Sequence, residues 1–413
     1  MSYYAYQLQS DFLAPWRMLA QAGSAFAQAL ERSIDESGFA LEEPSALRRF
    51  SAACEVFNHA RLTHKRPPFN LTSVETRTGT YPVIEEVVMT TPFAKLIRFR
   101  KVGVTGEPRV LMSAPMSGHF ATLLRETVRT MLTDHEVYIT DWHNARDVSL
   151  SDGRFGFDEY VEHIIWFLRA MGEGSHLMSI CQPCPASLAA AAIMAEDDDP
   201  FQPLSLTLMA GPVDCRINPT KVNELAMSKP MHWFESKLIH SVPPPHKGFG
   251  RRVYPGFIQL TAFMCMNLDR HKQSFRTLYD HLVARDDTAA EQISDFYEEY
   301  LAVSDLPAEF YLETVRDVFQ EHLLPRGLLT WRGRLIKPAA IRRTALLTVE
   351  GERDDICAIG QTMAAQELCS SVRPYLRTHH IQTGVGHYGV FSGRKWTSSI
   401  YPIVRDTIHA ANG

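Results

Sequence analysis

Three features of this sequence predict an α/β chain built on a mostly parallel sheet. Short runs of aliphatic and β-branched residues alternate with amphipathic helical stretches from about residue 83 onward. One of these runs, from Ser175 to Ile180, passes straight into a segment that is alanine-rich and free of glycine, ending near Ala192. Cys181 falls at the joint. A strand that turns sharply into a helix carries the corner residue out at the end of the sheet. There the free N–H groups and positive dipole end of the helix favour a thiolate and later an oxyanion. Cys181 is therefore the candidate nucleophile.

Taken in order, residues 1–80 form a helical N-terminal extension, with the helical signal itself reaching about residue 66. The stretch from Phe12 to Ala20 and the one from Pro44 to Phe57 predict two or three amphipathic helices. Tyr3, Tyr4, Tyr6, Phe12 and Trp16 make the start aromatic, suited to packing on the main domain or to contact with an apolar surface or another subunit. Residues 81–215 are the first part of the core. Val83 to Met89 and Ala94 to Phe99 read as an antiparallel pair, followed by a strand from Arg109 to Pro115 and a helix from His119 to about Thr133. A strand from Glu136 to Asp141, a helix from Phe157 to about Met171, the elbow strand with its helix and a strand from Leu204 to Gly211 complete this part.

Over residues 216–340 the sheet pattern stops; Pro243-Pro244-Pro245 marks a loop, and Glu291 to Tyr300 and Glu309 to Leu324 are amphipathic and rich in aromatics. This is an inserted helical cap. Residues 341–413 resume the core with a strand from Thr344 to Glu350, a helix from Ala358 to about Ser370, a strand from Tyr375 to Ile381 and a closing helix from Trp396 to about Ala410. The order is that of the α/β-hydrolase fold, with the nucleophile after the strand where that fold places it.

Composition narrows the function classes. With 45% hydrophobic and 22% charged residues over 413 positions, the chain has the makeup of a globular protein with a sizeable core. A net charge of −5 gives no reason to expect nucleic acid. The start lacks a basic segment followed by an apolar one, and no apolar run is long enough for a membrane span, so a cytoplasmic location is expected. Seven cysteines, an odd number scattered along the chain, read as reduced thiols. No metal is expected: beyond Cys181 and Cys184 there is no second close Cys/His pair at zinc spacing, and Cys357 and Cys369 lie apart. Phosphate-binding glycine motifs are absent.

Cys181-Gln182-Pro183-Cys184 also has the form of a redox dithiol, and both cysteines suit a buried turn. The partners later in the chain decide. A triad in this fold runs nucleophile, acid, base, each on the loop after a strand. Glu350-Gly351-Glu352-Arg353-Asp354-Asp355 follows one strand and Gly384-Val385-Gly386-His387 follows the last, so an acid and a base stand at the required places. His387 takes the proton of Cys181 or pairs with its thiolate, and later protonates the leaving alcohol. Asp354 fixes the His387 tautomer, with Asp355 a close competitor and Asp214 a weaker one. The oxyanion hole is expected from the backbone N–H of Gln182 and that of Met116 or Ser117. His119 either lines the pocket or starts the following helix.

With those residues in view, the chain resembles the intracellular poly(3-hydroxybutyrate) depolymerases, a branch of the α/β-hydrolases akin to the polyhydroxyalkanoate synthases. The resemblance spans nearly the whole length. It rests on Ile180-Cys181-Gln182-Pro183, on Val349 to Ile356 with Gly360-Gln361-Thr362 behind, on Gly384 to Phe391, and on Ala114 to His119. It implies a Cys-Asp-His triad of Cys181, Asp354 and His387, cleavage of amorphous polyester through an acyl-thioester on Cys181, and a place at the surface of storage granules in the cytoplasm. No cofactor is implied, with coenzyme A open beside water as the acyl acceptor; a homo-oligomer is also open. Ser179 and Pro183 replace the glycines of the usual elbow, which separates the chain from the synthases. Pro183 in the first helical turn removes no hydrogen bond, and Cys184 reads as packing. A synthase-like acyltransferase and a non-catalytic granule-coating protein are the rival functions.

Overall fold

The computed structural model describes residues 3–37, 45–266 and 268–412. Two helices lead, α1 (Tyr3–Glu36) and α2 (Ala46–His59). The strands β1 (Ser73–Thr76), β2 (Gly79–Thr90), β3 (Ala94–Lys101) and β4 (Arg109–Ser113) come next, then α3 (Arg125–Met131) and β5 (Glu136–Trp142). After them stand α4 (Phe157–Met171), β6 (Ser175–Ile180), α5 (Cys184–Glu196) and β7 (Ser205–Met209).

The inserted region holds α6 (Lys221–Ser228), α7 (Met231–Leu238), α8 (Gly256–Met266), α9 (Leu268–Ala284), α10 (Asp287–Tyr300) and α11 (Ala308–Thr314). It also carries the very short strands β8 (His240–Ser241), β9 (Arg252–Tyr254) and β10 (Leu306–Pro307) and a hairpin of β11 (Thr330–Trp331) and β12 (Arg334–Leu335). The chain ends with β13 (Ala345–Gly351), α12 (Ala365–Leu368), β14 (Arg377–Gln382), α13 (Gly393–Lys395) and α14 (Tyr401–Asn412).

Nine strands form one sheet in the order β1-β2-β3-β5-β4-β6-β7-β13-β14. The β1–β2, β2–β3 and β3–β5 pairs are antiparallel, and every pair from β5–β4 to β13–β14 is parallel. Without the edge strand β1, this is the strand order of the α/β-hydrolase fold. All six residues of β6 and all five of β7 are buried, as helices on both faces require. On one face α4 and α5 carry Tyr160, Phe167 and Leu188 into a core; on the other, Val128, Met131, Trp396 and Val404 fill a second. Every residue of α5 from Cys184 to Met194 is buried, which explains why its sequence is apolar all round. Strand order reverses at β4 and β6, and the carboxyl ends of those strands form the crevice where such sheets place their ligands.

The two leading helices pack along each other. Phe50 of α2 lies against bare Gly23 of α1, where a Cβ would stand 3.3 Å from the ring. Tyr3 pins the start of α1 to the body: its hydroxyl donates to buried Asp305 at 2.6 Å, and Asp305 also accepts the N–H of Gly256 at 2.9 Å.

Several expectations change. Sheet pairing begins at Ser73, after the helical signal that ends near residue 66 but inside the 1–80 extension, because β1 and β2 make a hairpin about Thr76 and Gly79. The region read as a purely helical cap contains the small β8–β9–β10 sheet as well. No helix starts at His119: Gly118 has φ +87° and His119 bridges Val303, so regular helix begins only at Arg125. The predicted helix from Ala358 shrinks to Ala365–Leu368, for a reason found at the site below.

Three buried histidines carry a pH cost. Burial pulls His135 down to about 3 and His119 and His176 down to about 4, from an ordinary value of 6.5. Between pH 6.5 and 4 the unfolded chain binds protons at these sites that the folded chain refuses, so stability falls as the pH drops. We expect His135→Gln to lose less Tm than the native sequence between pH 7 and pH 5 in calorimetry; equal losses would contradict this assignment.

Candidate active site

The corner at Cys181 is a left-handed residue between β6 and α5, with φ +66°. Such a conformation costs a non-glycine residue on the order of 1 kcal/mol and needs support from its surroundings. The support is specific. The Cys181 N–H donates to the Met209 carbonyl at 2.7 Å, and the Cys181 carbonyl accepts from Cys184 N–H at 3.1 Å. Beneath the corner, Gly211 leaves the only room available: a Cβ there would stand 2.7 Å from the Cys181 carbonyl and 2.1 Å from the Cys184 sulfur. Thr362 holds that glycine in place, accepting its N–H at 2.8 Å and donating to its carbonyl at 2.9 Å. Ser179, where the usual elbow has glycine, turns its hydroxyl to Ser187 at 2.5 Å.

Cys181 is half-buried, whereas Cys184 is fully enclosed and burial raises its thiol pKa. Its sulfur contacts the carbonyls of Ser179 and Met209, a packing role.

His387 and Asp354 meet behind this corner. His387 Nδ1 lies 2.8 Å from Asp354 Oδ2. The other carboxylate oxygen accepts the N–H groups of Ile356 and Cys357, each at 2.9 Å, which fixes the carboxylate plane. Burial alone would pull the His387 pKa down, but the Cys181 sulfur and the Asp354 carboxylate outweigh it and hold it well above the ordinary value. The other acids are placed elsewhere. Asp355 is exposed, and Asp214 makes a bidentate pair with Arg216 at 2.7 and 2.8 Å.

The loop after β4 approaches the same corner. Trp142 and Tyr160 both donate to the Ala114 carbonyl, at 2.8 and 3.0 Å, and fix where the loop departs. On its far side the cap holds it: Gln259 of α8 donates to the Ser117 carbonyl, and Ser304 N–H donates to the Gly118 carbonyl at 2.8 Å. The N–H of Met116 is engaged by the Gln182 side-chain carbonyl at 3.1 Å. Among the described residues, the N–H groups of Gln182 and Ser117 have no hydrogen-bond partner.

His119 is buried with its ring centroid 5.3 Å from that of Tyr300 on the cap. Two aromatic neighbours were not singled out from the motifs. Tyr388 packs edge-on against His387 at 5.9 Å, and burial, Tyr300 and Cys181 all raise its pKa, which places Tyr300 and Tyr388 near Cys181. Tyr300 was signalled only by the aromatic richness of the stretch it ends, and Tyr388 only by its place beside His387 in the Gly384 to Phe391 motif.

Glu350 was also missed. It is fully buried, and its carboxylate accepts the N–H groups of Gly360, Thr362 and Met363 at 2.8 to 3.0 Å. These bonds bend the chain into turns where the sequence predicted a helix, and they set Thr362 under Gly211. A cleft of about 1670 Å³ lies elsewhere and touches none of Cys181, Asp354 and His387. No group of three or more His, Cys, Asp or Glu is placed to hold a metal among the described residues.

Glu350→Gln turns an all-acceptor group into one with an NH2 facing backbone donors. We expect it to destabilise the fold by about 2–4 kcal/mol in denaturant unfolding, together with slower alkylation of Cys181 by iodoacetamide. A stability within 0.5 kcal/mol of native, as for an ordinary surface substitution, would refute this role.

No curated protein matches the chain. Solved structures of similar shape include a lipase from Acinetobacter baumannii AYE described as putative, with 14% identity, 79% of this chain and 93% of that one covered, and a TM-score of 0.44. Another is an epoxide hydrolase from Bacillus megaterium, with 13% identity, 78% and 99% covered, and a TM-score of 0.47. A third is an esterase from Thermogutta terrifontis, with 11% identity, 83% and 98% covered, and a TM-score of 0.40. Residues 210–412 match the family described as "PHB de-polymerase C-terminus". That segment holds the loops of Asp354 and His387 and the whole inserted region, and over it the chain is similar to the family its motifs resemble.

Proposed function

We propose that the chain hydrolyses the ester bonds of amorphous intracellular poly(3-hydroxybutyrate), with Cys181 as nucleophile, His387 as acid and base, and Asp354 as the group that orients His387. The observation that carries this reading is the left-handed Cys181 corner backed by the 2.8 Å pair of His387 and Asp354. The thiolate attacks the ester carbonyl, and the tetrahedral oxyanion forms beside the open N–H groups of Gln182 and Ser117. His387 then gives its proton to the departing 3-hydroxyl oxygen, leaving an acyl-thioester on Cys181. Water, deprotonated by His387, attacks the thioester and releases the acid and the thiolate. Coenzyme A is a second acceptor by the same route. The reaction needs no bound cofactor or metal.

The polymer surface has a counterpart on α1. Tyr4, Leu8, Phe12, Trp16, Leu19 and Phe26 are each more than half exposed, and their spacing of three, four and seven puts them on one outward stripe. This stripe is read as the face that meets the granule, in the cytoplasm; a second copy of the chain is the competing occupant. No helix of the described residues is long and apolar enough to cross a membrane.

Native granules incubated with the protein should release soluble 3-hydroxybutyrate. Cys181→Ala should abolish release, and Asp354→Asn should lower it by roughly 10²–10⁴-fold. Release that survives Cys181→Ala would refute the mechanism, and polymer growth from coenzyme A thioesters would favour a synthase. Replacing Phe12, Trp16 and Phe26 together by serine should weaken granule binding at least about tenfold while hydrolysis of a short soluble ester is unchanged. Unchanged granule binding would remove α1 from the surface role.

A further inference from the structure

A cleft of about 1670 Å³ lies between the N-terminal helices and the cap, separate from Cys181. Its walls are α1, α2 and the segment after α2 on one side and α7, α8 and the end of α10 on the other. Six Lys and Arg side chains line it against two glutamates. One of those acids is occupied: Glu55 accepts from Ser24, Gln28 and Ser51. Most of the cations are not. Arg66 pairs with Asp141 at 2.8 Å, but Arg17, Arg61, Lys65 and Lys237 form no ion pair among the described residues. Arg146 lies 3.9 Å from Asp147 and is partly compensated by buried Asp305 and the Tyr3 hydroxyl, although its Nε is buried without a hydrogen-bond partner.

Like charges brought together without counter-charges lower the stability of the folded chain unless something else compensates. Burial, and then the charge of Arg61, pull Arg17 below its ordinary pKa, while its guanidinium lies 5.6 Å over the Phe57 ring. The cleft is also lined by apolar side chains, with Leu13, Leu62 and Ile258 half-buried, Met18 exposed at its edge, and Phe257 stacked on Tyr6 at 3.9 Å. Several free cations beside apolar side chains suit a ligand that carries several negative charges on an apolar or aromatic body.

We propose that this cleft is a binding site for an organic phosphate ester, its phosphates held by Arg17, Arg61 and Lys65 and its organic part laid on Leu13, Met18 and Phe257. The cleft is roomy enough, since small-molecule sites commonly occupy roughly 300–1,000 Å³. Two sources share the chemistry: a nucleotide, with an aromatic base, and an isoprenoid or lipid phosphate, with an aliphatic chain.

The test is titration calorimetry on the full chain with ATP, geranyl diphosphate and inorganic tripolyphosphate. At least one organic phosphate should bind saturably and more tightly than tripolyphosphate, and the tighter of the two names the source. Its affinity should fall at least tenfold in Arg17→Ala/Arg61→Ala and fall again as salt is raised. Leu13→Gln, which leaves every cation in place, should weaken the organic ligand while sparing tripolyphosphate, and it serves if the double variant does not fold. No saturable binding of either organic phosphate, equal affinity for tripolyphosphate, or unchanged affinity in both variants overturns the proposal. Cys181→Ala should bind as the native chain does, so failure of the ester-hydrolysis reading leaves this result untouched.

Discussion

A cysteine held at φ +66° is the constraint on which the rest of the site depends. Left-handed backbone is unfavourable for any residue with a side chain, so the corner survives only where neighbours fix both its ends. Here the Met209 carbonyl takes one end and Cys184 N–H the other, while Gly211 leaves the space below. Gly211 is in turn clamped by Thr362, and Thr362 stands where the buried Glu350 carboxylate puts it. A chain of contacts therefore runs from β13 through the loop after it to Cys181. The same loop carries Asp354 to His387, so one piece of backbone both supports the corner and places the proposed acid.

The cap and the N-terminal extension extend this arrangement outward. Gln259 and Ser304 of the inserted region hold the loop whose Ser117 N–H stays open, so the position of an expected oxyanion donor depends on the cap. Tyr300 brings an aromatic wall toward His119 and Tyr388. Asp305 joins this region to α1 through Tyr3 and to the core through Asn144, which lies 3.0 Å from the Asp305 N–H. The leading helices are thus tied to the part of the molecule that covers the corner, while their apolar stripe faces out.

How much of this was legible follows from the range of each interaction. The main strands of the sheet and the strand-to-helix corner at Cys181 are local patterns, and they are found where the sequence places them. Asp354 and Asp355 are neighbours of one type; only the turn that buries the first and exposes the second separates them. Likewise Met116 and Ser117 differ through a contact with Gln182, 66 positions away. The helix expected from Ala358 fails because Glu350 captures three N–H groups that a helix would have used or left to water, a bond pattern no local propensity contains. The helix expected at His119 gives way to a bridge with Val303 from the distant cap. The cationic cleft was invisible for the same reason, since Arg17, Arg61 and Lys237 gather only in the folded chain.

The central claim is that Cys181 becomes acylated. It is tested most directly by acid-quenching the protein within the first turnovers on polyester granules and measuring its intact mass, then mapping the adduct by peptide. The account predicts added mass of one or more 3-hydroxybutyryl units on the Cys181 peptide, removed by neutral hydroxylamine as a thioester should be. Turnover with no adduct on Cys181, or with an adduct on another residue, would contradict it.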